Sequence, residues 1–328
     1  GFIGFHVTRA CLAKGWYVIG VDKMTYAANT NWLPELLEDS QFKFIDKDIN
    51  DLDMLYDCDY IINTAAETHV DNSIVSSDVF LRSNVNGVHH LLNLIKERHR
   101  FKMPTLLHFS TDEVYGDIVD GAHVETDLLK PSNPYSATKA SADLLVISAN
   151  RTFDIPYLIT RTCNNFGEHQ HAEKFLPKIY NCVLNGDTVP VYGDGKQIRD
   201  WLYVEDHARA LYLVATTAKV GETYNNGGHN EKQNIDVVKT ICTILDNINP
   251  RMDGQSYTQQ ITFVKDRPGH DLRYAIDASK IQQELNWQPQ ESFESGIQKT
   301  VEWYLSNQGW VNHIKSGEYQ HWVEKQYQ

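Results

Sequence analysis

Tyr135 and Lys139 stand four residues apart, the spacing that stacks two side chains on one face of a helix. An ammonium beside a phenol favours the phenolate, so Lys139 is expected to lower the pKa of Tyr135. Free tyrosine, with a pKa of about 10, is no base near neutrality; a tuned one is. Upstream, the apolar run Leu106-Leu-His-Phe109 ends in Ser110, Thr111, Asp112 and Glu113. If that run is a buried strand, its carboxyl end brings a hydroxyl and two carboxyls near the phenol. A Tyr-x-x-x-Lys spacing alone is common on surfaces, and Asp-Glu at a strand end is usually a turn. The combination carries the signal.

Positioning these groups takes a strand ending at Thr111 and a helix opened by Pro134, and the rest of the chain reads as the scaffold for both. Gly1-Phe-Ile-Gly4 reads as the tail of a glycine-rich dinucleotide fingerprint, with Phe5, Val7, Cys11 and Leu12 at helical spacing behind it. Such glycines let backbone approach a pyrophosphate at a helix N-terminus. The strand Trp16–Val21 then ends in Asp22, 18 residues after Gly4, where an acid can hold the adenosine ribose. The fingerprint's first strand and first glycine are not in the sequence, so the N-terminus reads as truncated and a central strand is expected to be missing from the sheet. Further strands are expected at Phe42–Asp46, Tyr60–Asn63 and Pro156–Thr160, and a long helix from about 78 to 98 with Val85, Val88, Leu92 and Ile95 inward. Apolar strands alternating with helices predict an α/β, doubly wound parallel sheet of the Rossmann type. After about residue 163 the pattern changes to glycine- and proline-bearing loops. This predicts a nucleotide-binding part, 1–163, to which later segments return, and a smaller C-terminal α/β substrate-binding part, 164–328.

Composition narrows the function class. The chain has 328 residues with 30 basic and 43 acidic side chains, a formal net charge of -13. That argues against nucleic acid or an anionic membrane as partner. Five scattered cysteines without Cys-x-x-Cys spacing predict a reduced, cytoplasmic setting and no metal site.

Taken together, Ser110-Thr-Asp-Glu-Val-Tyr-Gly116, Pro134-Tyr-Ser-Ala-Thr-Lys139, Arg199-Asp-Trp-Leu-Tyr-Val-Glu-Asp-His207 and Asp266-Arg-Pro-Gly-His-Asp271 resemble the extended short-chain dehydrogenase/reductase family. Within it, the Asp-Glu pair after Thr111 is similar to that of the dTDP-glucose 4,6-dehydratases, and the resemblance runs from Gly1 to the tail. It implies an NAD-dependent lyase of deoxysugar biosynthesis acting on a sugar nucleotide. Tyr135 would take the 4-OH proton, Lys139 would tune it, and Thr111 would bond the 4-oxygen. Glu113 would take the C5 proton and Asp112 would protonate the departing 6-hydroxyl, with hydride returning to C6. Asp112 must then be protonated when it acts, so its site should raise its pKa.

For NAD the resemblance implies Gly1, Phe2, Ile3, Gly4, Asp22, Lys23, Thr25, Asp48, Ile49, Ala65, Ala66, Ser83, Tyr135, Lys139 and Asn165. Asp22 disfavours a 2′-phosphate, hence NAD and not NADP. For the sugar nucleotide it implies Thr68, Asn164, Lys174, Phe175, Pro190, Tyr192, Arg199, Asn234, Arg267, His270 and Tyr327. Arg199 and Arg267 suit a diphosphate, and Tyr192 would lie near the nucleobase. A homodimer built on the 78–98 and 135–152 helices is implied as well. Phe166-Gly-Glu-His169 and Asn226 depart from the family's usual residues. A UDP-glucose 4,6-dehydratase, an epimerase or decarboxylase of the same fold, and a nucleotide-binding protein without turnover are the alternatives. Asp112 and Glu113 argue against an epimerase, which needs neither.

Overall fold

The computed structural model describes residues 1–25, 27–28, 33–98 and 102–315. Helix α1 (Phe2–Leu12) begins straight after Gly1 and leads to β1 (Val18–Asp22). Then come α2 (Leu33–Leu37), β2 (Phe42–Asp46), β3 (Tyr60–Asn63) and α3 (Val70–Val75). The helix expected over 78–98 is three consecutive segments: α4 (Asp78–Phe80), a π-helix (Leu81–Asn86) and α5 (Gly87–Glu97). The wider π turn shifts the helical phase. It buries Ser83 and Asn84 and leaves Val85 only half-buried, where a regular helix would turn Val85 inward.

Strand β4 (Thr105–Thr111), α6 (Pro134–Phe153) and β5 (Tyr157–Thr162) form the centre. Asn133 caps α6 by accepting from Ser136 N, Pro134 occupies the first turn, and Asp154 closes it in the left-handed region at φ 55°. The second half contributes β6 (Asn164–Phe166), α7 (Phe175–Asn185), β7 (Val189–Tyr192), β8 (Ile198–Arg199) and β9 (Trp201–Tyr203). It continues with α8 (Val204–Thr217), β10 (Thr223–Asn226), β11 (Lys232–Gln233), α9 (Asn234–Ile248), β12 (Ile261–Val264), α10 (Ser279–Leu285), α11 (Phe293–Ser306) and α12 (Gln308–Lys315).

Four strands pair in parallel in the order β10-β5-β4-β3, and β1 pairs β2 in parallel as a separate ribbon. Helices carry the crossovers between parallel neighbours, so the expected α/β class is observed. In β4 every residue from Leu106 to Thr111 is buried, which is why that run is apolar until its last turn. The chain returns to this sheet late: β10 pairs β5, and α8 packs on α1. The outer pairs are β7–β12 and β6–β9, both parallel, and β8–β11, antiparallel.

One apolar cluster draws only on residues from Phe166 onward, including Tyr180, Trp201, Val237, Phe293 and Tyr304. Another mixes both halves, from Val7 and Leu107 to Leu211, Tyr224 and Trp287. The unusual Phe166 and His169 are packing residues: Phe166 lies edge-on to Trp201 and Tyr203, and His169 sits 4.4 Å from the Trp303 ring. Among the described residues, no helix is long and apolar enough to cross a membrane.

Candidate active site

Strand β4 delivers Thr111 to the sheet's carboxyl edge, and the chain at once tightens into a 3-10 turn, Asp112–Tyr115. Gly116 ends that turn at φ 85°, where a Cβ would come within 2.3 Å of the Lys130 carbonyl, so only glycine fits. Thr111 Oγ1 donates to Asp112 Oδ1 at 3.2 Å and accepts from Glu113 N at 3.3 Å. Glu113 Oε2 accepts from Ser136 Oγ at 3.0 Å and from Asn133 Nδ2 at 3.3 Å, both at the start of α6. The same helix start presents Tyr135, whose phenol hydrogen-bonds Thr111. Thr111, Asp112, Glu113 and Tyr135 line one cavity of about 990 Å³.

Burial dominates the electrostatics. Asp112 is 2% exposed, and its Oδ2 is buried without a hydrogen-bond partner among the described residues. Desolvation, then the Glu113 charge, raises its pKa to about 8, with Arg199 and Thr111 opposing. The carboxyl is therefore protonated at neutrality, as the sequence led us to expect.

The phenol is raised as well, against expectation. Burial first, then Glu113 and Asp112, pushes Tyr135 well above its ordinary value, whereas the sequence predicted a lowering by Lys139. The physical reason lies in where the ammonium points. Lys139 Nζ donates to the Phe109 carbonyl at 2.6 Å, over the Phe109 ring, and lies off the cavity wall. Desolvation lowers Lys139 itself to about 8.

At the other end of the cavity, Gly1, Phe2, Ile3 and Gly4 open α1 and face Asp22, Lys23, Thr25, Asp48 and Ile49. A Cβ on Gly4 would meet Thr64 Oγ1 at 3.1 Å, so α1 approaches the end of β3 closely. Asp22 Oδ2 lies 2.9 Å from Gly1 N, and Oδ1 accepts from Met24 N at 2.9 Å. Lys23 Nζ donates to Ser83 Oγ at 3.0 Å and lies 3.4 Å from Glu67 and 3.8 Å from Asp48. Burial alone would raise Asp48, but hydrogen bonds from Asn50 and the charges of Lys23 and Arg82 hold it below the usual range. Ala65, Ala66 and Ser83 share this wall, and Asn165, Thr68, Asn164 and Lys174 join it on the C-terminal side. Lys174 Nζ bridges inward to Thr68 Oγ1 at 2.8 Å and Thr68 O at 3.0 Å.

A dinucleotide fits the pattern at this end: helix N-terminal amides, a carboxylate at a strand end for ribose hydroxyls, and small residues at Ala65 and Ala66.

A second cluster flanks this cavity without lining it. Asp71 Oδ1 accepts from Arg267 Nη1 at 2.8 Å, and Asp71 Oδ2 accepts from the Tyr192 hydroxyl at 3.3 Å. His270 meets Asp266 at 2.6 Å and stands edge-on to Tyr192. Pro190 sits on the same strand as Tyr192, and Asn234 N donates to Gln197 O, whose side chain reaches Asp266.

Two of the expected substrate residues have protein partners in the structure. Arg199 is 5% exposed, donates to the carbonyls of Ile198, Asp271 and Leu272, and lies over the Tyr274 ring. Phe175, half-buried, stacks on Trp201 at the edge of the core cluster, off the cavity. Tyr327 lies outside the described residues.

Sequence reading missed Asn133, Ser136, Glu67, Asn84 and Asp71. Asn133 and Ser136 carried a signal, the cap and first turn of a Pro-opened helix directly before Tyr135. Asn84 carried none. Its side chain grips Glu67 N at 2.8 Å, Glu67 O at 3.0 Å and Thr138 Oγ1 at 3.0 Å, and only the π-helix turns it inward.

Comparison with known proteins agrees with this geometry. The family model for GDP-mannose 4,6 dehydratase matches residues 1–300. A dTDP-glucose 4,6-dehydratase of Escherichia coli is 48% identical over 351 residues, covering 100% of this chain and 97% of the relative. The crystal structure of the Streptomyces venezuelae dTDP-glucose 4,6-dehydratase with NAD and TYD bound superposes with a TM-score of 0.89 at 38% identity, covering 96% of this chain and 97% of that one. The corresponding Bacillus anthracis enzyme in complex with NAD gives 0.83 at 35% identity, covering 96% of each chain. With its glycine-led helix and these relatives in view, the chain belongs to the dTDP-glucose 4,6-dehydratase family of NAD-dependent short-chain dehydrogenase/reductase enzymes.

Proposed function

We propose that this chain converts dTDP-glucose to dTDP-4-dehydro-6-deoxyglucose and water. The observation that carries the reading is the convergence of Tyr135, Thr111, Asp112 and Glu113 on one cavity that also holds the start of α1 and Asp22. Bound NAD would supply a hydride acceptor for C4, return the hydride to C6, and place positive charge beside the phenol.

The protein's own groups do the rest. Thr111 holds the sugar 4-oxygen while Tyr135 takes its proton. A phenol whose pKa burial has raised needs cationic help, and Lys139, one turn away, gives it on exchanging the Phe109 carbonyl for the substrate side of the cleft. Glu113, oriented by Ser136 and Asn133, takes the C5 proton that the 4-keto group has acidified. Asp112, kept protonated by burial, donates to the departing 6-hydroxyl.

Asp22, Lys23, Asp48 and Ser83 hold the adenosine end in this proposal, and Arg267, Tyr192 and His270 hold the nucleotide of the substrate. Residues 1–163 thus serve mainly the cofactor and 164–328 mainly the sugar nucleotide. A homodimer across α5 and α6 belongs to the same reading, supported by Leu81 and Leu144, 46% and 58% exposed on neighbouring helical segments. Cytoplasmic location is supported by five cysteines, none bonded to another.

Incubation with dTDP-glucose and NAD+, read by the alkaline ultraviolet absorbance of a 4-keto-6-deoxy product, tests the function. Turnover of UDP-glucose in preference to dTDP-glucose would overturn the nucleotide assignment, and no keto product from either would overturn the reaction.

A further inference from the structure

The first amides of a helix have no partner in its own ladder, and at the start of α6 each can be traced to its acceptor. Pro134 has no N–H to place. Ser136 N donates to the Asn133 side chain at 2.9 Å, and Ala137 N donates to the Asn133 carbonyl at 3.0 Å. Tyr135 N instead donates at 3.2 Å to Ser73 Oγ, on α3. Ser73, 1% exposed, is the buried residue of that helix. Its own hydroxyl hydrogen goes to the Val70 carbonyl at 2.6 Å. A serine that bonds back to its own helix is common and by itself means little. Here that bond fixes the hydroxyl, so the oxygen's remaining lone pairs are free to accept from Tyr135.

The other anchors of α3 lie on the substrate flank. Asp71, two residues before Ser73, accepts from Arg267 Nη1 at 2.8 Å and from the Tyr192 hydroxyl at 3.3 Å. Thr68, just ahead of the helix, accepts from Lys174 Nζ at 2.8 Å. Asp71 and Ser73 are about 3 Å apart along the axis of one helical turn. That turn is a short, stiff spacer between the groups proposed to hold the nucleotide and the phenol proposed to meet the sugar. Ser73 itself is not part of the cavity wall.

The geometry points to Ser73 as a positioning residue for Tyr135: through α3 it ties the start of α6 to the turn that holds Arg267 and Tyr192, and so sets the reach of the phenol to the 4-oxygen of a sugar whose nucleotide those residues hold. This inference rests on the proposed dehydratase reading for the use of Tyr135, but not for the hold on its amide. Removing Ser73 should act on the chemical step and leave binding nearly alone. A misplacement of about 1 Å can cost about 100-fold in rate. With Asn133 and Pro134 still opening α6, a smaller loss is expected. The alternative is a hydroxyl that satisfies two backbone groups and only stabilises the fold.

Ser73→Ala removes the acceptor and separates the two readings. Amide hydrogen exchange is followed by NMR in protein isotope-labelled at tyrosine, with the Tyr135 resonance assigned by its loss in Tyr135→Phe. In Ser73→Ala the Tyr135 amide should exchange about 10-fold faster, while the Tyr115 amide keeps its parent rate. The kcat for dTDP-glucose should fall about 10-fold with KM within about twofold of the parent. That fall should vanish when Ser73→Ala is added to Tyr135→Phe, because Ser73 acts through the phenol; a purely structural role would cost the same in both backgrounds. An unchanged exchange rate, an unchanged kcat, or an equal loss in the Tyr135→Phe background overturns the inference. If Ser73→Ala does not fold, the near-isosteric Ser73→Cys, whose sulfur is a weak acceptor, undergoes the same measurements with the same deciding outcomes. Turnover by the parent is scored separately: faster Tyr135 exchange in the variant, with no turnover of dTDP- or UDP-glucose by the parent, would sink the dehydratase reading alone.

Discussion

The floor of the cleft and its outer flank handle charge in opposite ways. On the floor, Asp112, Tyr135 and Lys139 are all removed from water, and desolvation is the leading cause of each pKa shift. On the flank, Arg267 pairs with Asp71 in direct contact, and His270, its pKa lowered chiefly by burial, hydrogen-bonds Asp266. For Asp71, burial would raise the carboxyl, but Arg267 holds it below the usual range. Burial gives a group an unusual proton affinity, which is what a catalyst needs. Ion pairing leaves a group ionised and exchangeable, which is what a binding site for an anionic nucleotide needs.

The comparison is sharpened most by removing the phenol. Tyr135→Phe takes away the base and should slow formation of the 4-keto product by about 10³- to 10⁴-fold, with NAD binding retained by calorimetry. Asp112→Asn should slow elimination by about 10²- to 10³-fold while C4 oxidation persists, seen as reduced nicotinamide building up in a single turnover. Water elimination at the parent rate in that variant would remove Asp112 from the mechanism.

On the flank, Arg267→Ala should raise the KM for dTDP-glucose by about 10- to 100-fold with kcat little changed, since a charge-assisted hydrogen bond is worth roughly 1.5–3 kcal/mol. A fall in kcat of the same size would break the division between floor and flank.

Stability carries the same contrast. The folded pKa of Asp112, about 8, lies above an unfolded value of about 3.9. Its contribution is therefore fully present below about pH 4 and is lost as pH rises through about 8. Asp112→Asn should match the parent in Tm near pH 4 and exceed it near pH 9 by calorimetry. A Tm difference constant across that range would show that Asp112 titrates normally.

Much of the site was legible in local pattern. Thr111, Asp112 and Glu113 follow an apolar run that has to be a central strand, and Tyr135 follows an Asn-Pro cap that has to open a helix. A parallel sheet puts strand ends and helix starts on one edge, so those residues meet. Asp22 was legible for the same reason, as the polar stop of a strand. The pattern could not say which way a long, flexible side chain turns. Lys139 reaches the Phe109 carbonyl, Arg199 turns to backbone carbonyls, and Phe175 faces the core, all choices set by neighbours remote in sequence.

The amino-acid order by itself determined the alternation of strands and helices, the glycine-led helix, and the chemical inventory at the end of β4, because these depend on residues close together in the chain. Tertiary structure alone decided that the pKa of Tyr135 is raised and not lowered, the inward turn of Asn84 in the π-helix, and the pairing of Asp143 with Arg161. Burial and charge proximity are properties of three-dimensional packing, and no local spacing encodes them.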